Sequence, residues 1–330
     1  MRKLATVRTV SEIRPIEGAD MIELAIIDGW QCVAKKGELK QGAKALYCEI
    51  DSLLPANDPR FAFLAARGTS KNADGAEGYR LRSIKLRGQL SQGLALPVEM
   101  FPEIEDDDID TALGIVKYEP PMPAQLMGLA RGNFPSFIRK TDQERIQNLP
   151  HLLGDTGTWE VTQKLDGSSM TVYFNNGEFG VCSRNIDLKE TDGNSFWNAA
   201  RRLGLREKMA TFGKNIALQG ELIGEGIQKN PEQIAGQDFY LFDVWDIDRQ
   251  CHVSMGERKI AAAALGLKSV PLIDIITLEI FDSMASILKC AEGFSWLNGK
   301  TQREGVVFKR IDGSDSFKVI SNKYLLKNEQ

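Results

Sequence analysis

A break in composition near residue 100 constrains the fold of this chain more than any other feature. An acidic run over residues 103–110 is followed by Glu119-Pro120-Pro121-Met122-Pro123. Such stretches make poor core and good boundaries. The 330 residues therefore read as two domains, each long enough to bury a core. The expected division is a first domain over 1–110, a linker over 111–135 and a second domain over 136–330. No internal repeat is evident.

Before the break, short segments rich in β-formers run over 5–13, 22–27, 31–35, 44–49 and 93–96. Gly18, Asp28-Gly29, Gly37, Gly42 and Gly88 supply turns between them. Several short strands in about 100 residues suit a small barrel, with the OB-fold as the nucleic-acid-binding candidate. After the break, strands expected over 161–164, 171–174, 216–222, 239–245 and 306–309 mix with helices over 194–208, 257–265 and 284–297. They do not alternate as a doubly wound fold requires. An α+β domain with antiparallel sheets is expected.

Apolar content of 42% and charged content of 26% are those of a soluble globular protein. A net charge of −4 gives no global sign of a polyanion partner, so any nucleic-acid surface has to be a local basic patch. Arg80, Arg82, Lys85 and Arg87 supply one within residues 79–88. On one regular strand they would split between two faces, and a bend would be needed to merge them. A solvated edge strand protected by charge is the competing account. Cys32, Cys48, Cys182, Cys251 and Cys290 are scattered, and His151 and His252 are the only histidines. Neither a zinc site nor a disulfide framework is expected, and a reducing cytoplasm fits. Met1-Arg2-Lys3-Leu4 leads into a mixed polar and apolar segment rather than a signal-peptide core. The apolar run over 260–267 is too short to cross a bilayer.

The chemistry therefore rests on Lys, Asp, Glu and Arg. Lys164-Leu165-Asp166-Gly167 reads as a nucleophilic lysine at a strand end, followed by an acid and a tight turn. Chance supplies Lys-x-Asp-Gly in roughly one chain in ten or twenty of this length. The order of the stations downstream carries the weight. Ser183-Arg184-Asn185 comes next, then Gly220-Glu221-Leu222-Ile223-Gly224 with an acid at a strand end. The aromatic stretch Phe239-Tyr240-Leu241-Phe242-Asp243 is followed by Glu304-Gly305-Val306-Val307 and Phe317-Lys318-Val319-Ile320. Each alone is an ordinary turn, surface loop or core strand.

In this order the stations resemble the lysine-dependent nucleotidyltransferases, the ATP-dependent ligases and mRNA capping enzymes. With a barrel upstream, the chain most resembles the Deinococcus/Naegleria-type family of ATP-dependent RNA ligases. Ile16-Glu17-Gly18-Ala19-Asp20, Lys35-Lys36-Gly37-Glu38 and Glu49-Ile50-Asp51-Ser52 are similar to that family's first domain. So are Thr141-Asp142-Gln143-Glu144-Arg145-Ile146-Gln147-Asn148 and Ser316-Phe317-Lys318-Val319-Ile320-Ser321-Asn322-Lys323 to its second. The resemblance implies an N-terminal OB-type β-barrel followed by an α+β nucleotidyltransferase (ATP-grasp-like ligase) domain.

It also implies roles. Lys164 takes AMP from ATP, Lys318 binds the α-phosphate, and Arg184 holds the ribose or the incoming phosphate. Glu221 binds ribose hydroxyls, Phe242 stacks on adenine, and Arg145, in a helix-like run, stands near the phosphates. Gly167 closes the turn after Asp166. Asp166, Glu221 and Glu304 would attend Mg2+ or Mn2+, a hard cation suited to oxygen ligands. A free lysine has a pKa of about 10.4, so only on the order of 0.1% is neutral at about pH 7.5. Lys318 and a metal push that value down, while the carboxylates push it up. RNA ends, a nicked duplex among them, are the implied partners, with neither a membrane nor a protein partner. Two departures stand out. Ile320 replaces a second lysine, with Lys323 or Lys309 as substitutes. Gln163 occupies the place where some RNA ligases have an acid that reads adenine. A DNA ligase, a GTP-using capping enzyme and a non-catalytic OB-fold binder of tRNA remain alternatives.

Overall fold

Short strands joined by tight turns build the first part of the chain, and longer strands with helices build the second. The computed structural model describes residues 3–104, 108–121 and 128–328. Residues 105–107 of the acidic run and Met122-Pro123 of the proline-rich stretch lie outside the described residues. Two compact units result: residues 1–123 with 325–330, and residues 124–324.

In the first unit, β1 (Ala5–Thr9), β2 (Glu12–Pro15), β3 (Ile22–Ile27), β4 (Trp30–Lys35), β5 (Lys44–Cys48) and β6 (Ser52–Pro55) are followed by β7 (Ser70–Lys71), β8 (Glu77–Arg80), β9 (Ser83–Leu86), β10 (Gln89–Gln92), β11 (Leu94–Pro97) and β12 (Val116–Lys117). The sheets run β1-β5-β11, β2-β3-β4 and β12-β6-β8-β7, with a β9-β10 hairpin. Leu46, Leu54 and Phe61 are buried in one cluster and Trp30 and Tyr47 in another, and Trp30 and Tyr47 stack at 5.5 Å. The single strand expected over 5–13 is two strands. The chain leaves β5 as a partner and joins β3, as a small closed sheet requires at its corners. Residues 111–135 are not a bare linker, because β12 pairs with β6 and Ala130–Asn133 pairs with Ile186–Leu188.

The basic segment 79–88 is likewise not one strand. It breaks between β8 and β9, then turns at Arg87 and Gly88, both with positive φ (48° and 79°), the signature of a tight hairpin. Arg80 is tied to Asp51 at 2.6 Å and lies over the Tyr118 ring. Arg82, Lys85 and Arg87 remain exposed.

The second unit holds two sheets. The larger comprises β13 (Ala130–Asn133), β16 (Ser168–Asn175), β17 (Glu178–Cys182), β18 (Ile186–Leu188), β19 (Ile216–Gly224), β20 (Gln237–Asp246), β21 (Cys251–His252) and β22 (Lys268–Ser269). The smaller runs β14 (Glu144–Arg145), β25 (Ser316–Ile320), β24 (Gly305–Arg310), β15 (Thr158–Lys164) and β23 (Leu272–Thr277). Two helices after the short α1 (Ile109–Ala112), α2 (Ser195–Arg202) and α3 (Leu205–Phe212), contribute Trp197, Leu205 and Met209 to the core on the larger sheet. So does α4 (Met255–Leu265), through Ala261 and Leu265. The smaller sheet rests on Trp159, Phe308 and Phe317, with Phe308 and Phe317 stacked at 4.7 Å.

Local chemistry sets the helix ends. The helix expected over 194–208 is interrupted at Gly204, which takes a left-handed φ of 63°. Asn194 caps α2 by accepting from the amides of Phe196 and Trp197. Ser254 and Glu257 form a capping box on α4. The helix expected over 284–297 is α5 (Met284–Cys290). It stops before Gly293, whose φ of 137° no helix accommodates. The final helix is α6 (Asn322–Asn328).

Candidate active site

Three adjacent strands of the smaller sheet set the pocket's geometry. Lys164 ends β15 and stands opposite Gly305 on β24, which in turn faces Ile320 on β25. Two residues back along β25, Lys318 lies opposite Val307 and, across the parallel pair, opposite Arg145 on β14. Arg145 is thus on a strand, not in the helix its local charge pattern favoured, because a partner 173 residues away overrides local propensity. Trp159, Phe308 and Phe317 anchor β15, β24 and β25 in the core below.

Two glycines bring the motifs together. A Cβ on Gly167 would stand 2.5 Å from the Leu222 carbonyl oxygen and 2.9 Å from Glu221 Cγ. A Cβ on Gly305 would stand 2.1 Å from the Val319 oxygen. Only glycine permits these approaches, which press the Lys164–Gly167 turn onto the strand of Glu221 and the Glu304 corner onto the strand of Lys318.

The resulting electrostatics are unbalanced. Lys164 Nζ donates to Glu304 Oε2 at 2.6 Å, with side chains 27% and 17% exposed. Burial alone would lower the Lys164 pKa, but Glu304, Glu221 and Asp166 together raise it. The carboxylates therefore win the contest the sequence posed. Burial first, then the fields of Glu304 and Asp166, push Glu221 up to about 7 against the opposing pull of Lys164. Burial and the cations Lys164, Arg145 and Arg184 push Lys318 down to about 7. Asp166 accepts a hydrogen bond from the Tyr324 hydroxyl, and Arg184 pairs with Asp142 at 2.7 Å at the exposed edge.

Phe242 reaches the same region by a bulge. Gln219 pairs with Asp243 and Gly220 with Leu241, so Phe242 is the extra residue, and bulges re-aim side chains beside sites. It packs on a cluster containing Leu165 and Ile223. Lys309 donates to the Phe242 carbonyl and to Asp243 Oδ2 at 2.8 Å, while its ammonium lies 5.2 Å from the Phe242 ring centre. Being buried and committed there, Lys309 does not replace the lysine missing at Ile320. Lys323 is exposed and pairs with Glu292 at 2.7 Å.

Gln163 does not face an open nucleotide pocket. It is 1% exposed. Its amide nitrogen donates to Glu232 Oε1 and Ser295 Oγ, at 3.1 and 2.8 Å. Its oxygen accepts from the Trp296 amide at 2.7 Å. Both donors and the acceptor are used on two loops, which leaves no amide hydrogen for adenine. Tyr324, Glu232 and Ser295 have no signal of their own in the sequence. Each acts through a contact more than 60 residues away.

The carboxylates also meet the chemistry of a divalent cation. Glu221 sits in the field of two further acids, an arrangement that a hard cation relieves. Among the described residues no three acidic, His or Cys groups close directly on one point. No helix among the described residues is long and apolar enough to cross a membrane.

The RNA ligase family model matches residues 157–324, and a model described as an OB-fold domain matches residues 4–98. Solved structures of Naegleria gruberi RNA ligase are similar over almost the whole chain. An Asp-to-Ala mutant without ligand is 48% identical, with a TM-score of 0.85, covering 99% of this chain and 98% of that one. A Lys-to-Ala mutant with ATP and Mn, and the ligase with PPi, each show 48% identity, a TM-score of 0.85 and 99% coverage of both chains. No curated protein matches.

Proposed function

The chain belongs to the RNA ligase family, and on that premise we propose that it seals RNA in three steps, the first two of which pass AMP through Lys164. It is an ATP-dependent enzyme acting on RNA ends and using a divalent metal. Membership sets aside the DNA-ligase, capping and non-catalytic alternatives. The convergence of Lys164, Glu304 and Lys318 on three neighbouring strands carries the residue assignment.

In the first step the Lys164 amine attacks the α-phosphorus of ATP. An N–P bond forms, the bond to the β-phosphate oxygen breaks, and pyrophosphate leaves. Glu304, already bonded to Nζ, is placed to orient the amine and accept its proton. Lys318 supplies positive charge to the α-phosphate, and phosphate binding recharges a lysine that burial has depressed. Arg145 and Arg184 extend the cationic side. Phe242 offers adenine a ring face, and Glu221 offers the ribose hydroxyls an acceptor. Mg2+ or Mn2+ attended by Asp166, Glu221 and Glu304 supplies charge neutralisation at the phosphates. In the second step a 5′-phosphate oxygen attacks the lysyl-AMP phosphorus and the N–P bond breaks. In the third, a 3′-hydroxyl attacks the 5′-phosphate and AMP departs.

A nicked duplex is the substrate we favour among RNA ends, in the setting of RNA repair. Arg82, Lys85 and Arg87 around the β9–β10 turn are candidates to hold its backbone in the first unit, with Arg80 partly spent on Asp51. Five unbonded cysteines favour a reducing, cytoplasmic setting. Incubation with α-labelled ATP should label the protein, and Lys164→Ala should abolish the label. A labelled Lys164→Ala protein would sink the assignment. Matched nicks with RNA or DNA on each side then test the substrate.

A further inference from the structure

Two loops meet behind the nucleophile, and none of the three transfers uses either. The first spans residues 225–236 and holds Gln228, Asn230 and Gln233 at φ of 47°, 44° and 52°. Non-glycine residues in this region are strained and persist only where their surroundings over-determine them. Here the pins are visible. Gln228 donates to the Gly167 carbonyl at 3.2 Å, and the Asn230 side chain brackets Ile234. Glu232 accepts from Gln163 and Ser295.

The second loop, residues 293–303, is fastened to the first and to Gln163. Asn298 Nδ2 donates to the Pro231 carbonyl at 3.0 Å. Ser295 is 3% exposed and directed inward, whereas its neighbours Phe294 and Trp296 are 58% and 59% exposed. That alternation puts two rings outward above a buried polar hub. Lys229 and Lys300 are exposed on the same two loops, and among the described residues neither enters an ion pair. The acids of these loops are otherwise engaged or few: Glu232 is buried, and Glu225 is exposed.

We propose that Phe294 and Trp296 form a stacking platform for bases of the RNA strand held beside Lys164, with Lys229 and Lys300 on its phosphates. Sequence-tolerant binding of a nucleic-acid strand combines aromatic faces with a basic track. Exposed rings on a loop fastened at several points lose little freedom on binding, which favours affinity. The platform is distinct from Phe242, which packs beside Leu165. The inference rests on the RNA-ligase reading, and it names where that reading's substrate lies.

Tryptophan emission gives a direct test. Trp30, Trp159, Trp197 and Trp245 are each at most 5% exposed, so Trp296 is the solvent-facing reporter. Titrating the full-length protein, without ATP, with a single-stranded oligoribonucleotide should quench its emission saturably. Trp296→Ala should remove the quench and raise the KM for RNA in ligation by about 5- to 100-fold, as loss of one stacked base predicts. Trp296→Phe should restore most of the affinity, and Ile260→Ala, an exposed apolar control, should change neither. Emission indifferent to RNA at concentrations that saturate ligation would overturn the platform. So would an unchanged RNA KM in Trp296→Ala, or a rise confined to the KM for ATP. A wild-type protein that takes no AMP from ATP refutes the ligase reading alone. The titration needs no ATP and decides the platform in either case.

Discussion

Two lysine–carboxylate pairs in the second unit have nearly the same length and opposite characters. Lys164–Glu304 is 2.6 Å long and partly open, at 27% and 17% exposure. Lys309–Asp243 is 2.8 Å long and closed, at 6% and 7%. The closed pair completes itself. Lys309 also donates to the Phe242 carbonyl, and burial lowers the Lys309 pKa despite Asp243. The Asp243 carboxyl resists burial and is held low by Lys309 and His252. Around the open pair, burial first and then like charge hold Glu221 up and Lys318 down, each at about 7. Charge that the fold leaves uncompensated is charge that a nucleotide and a cation can complete.

Replacing each lysine separates the two characters most strongly. Lys164→Ala should abolish transfer of AMP to the protein while leaving the thermal midpoint close to the parent's. Lys309→Met should leave Asp243 buried with its main partner gone, and lower stability by about 3–5 kcal/mol in denaturant titration. Unfolding by Lys164→Ala together with an intact Lys309→Met protein would show that the open pair, not the closed one, holds the fold.

A smaller effect comes from Glu221. Its folded pKa lies above the unfolded value, so the folded state keeps its proton longer, and stability is lost as pH rises from about 4.5 through about 7. Glu221→Gln should therefore stabilise the nucleotide-free protein at about pH 8 by up to about 3 kcal/mol and do little at about pH 4. A variant destabilised at the higher pH would show that the carboxylate is compensated after all.

The smallest signal is a proton count. Lys318, at about 7 when free, is largely neutral one unit higher, and a phosphate beside it restores the charge. ATP binding at about pH 8 should take up a proton, up to about one. Calorimetry in buffers of different ionisation heat reads this uptake, and Lys318→Met should remove it. Proton release on binding would contradict the role given to Lys318.

Much of the open region was legible in the sequence, because its stations sit at strand ends and turns whose order the chain preserves. Lys164, Glu304 and Lys318 follow from local pattern and Gly167 from its turn, whereas the close approaches of Gly167 to Leu222 and of Gly305 to Val319 show only in the fold. The α+β architecture with an N-terminal barrel was legible from strand spacing. What stayed hidden depends on distant pairing. A parallel partner holds Arg145 on a strand, a one-residue bulge delivers Phe242, and Gly204 divides a helix that reads as continuous. Gln163 kept a slot expected to meet adenine, yet its three hydrogen bonds run to residues 69, 132 and 133 positions away. No local rule reports such a hub. Lys309 looked like a spare phosphate ligand, and only its burial shows that it belongs to the closed pair.

Peptide mapping by mass spectrometry after incubation with ATP and Mn2+ locates the bound AMP. One acid-labile adduct is expected, carried on the peptide that contains Lys164. An adduct on Lys318 or another lysine, or none in a folded protein that still binds ATP, would contradict Lys164 as the nucleophile.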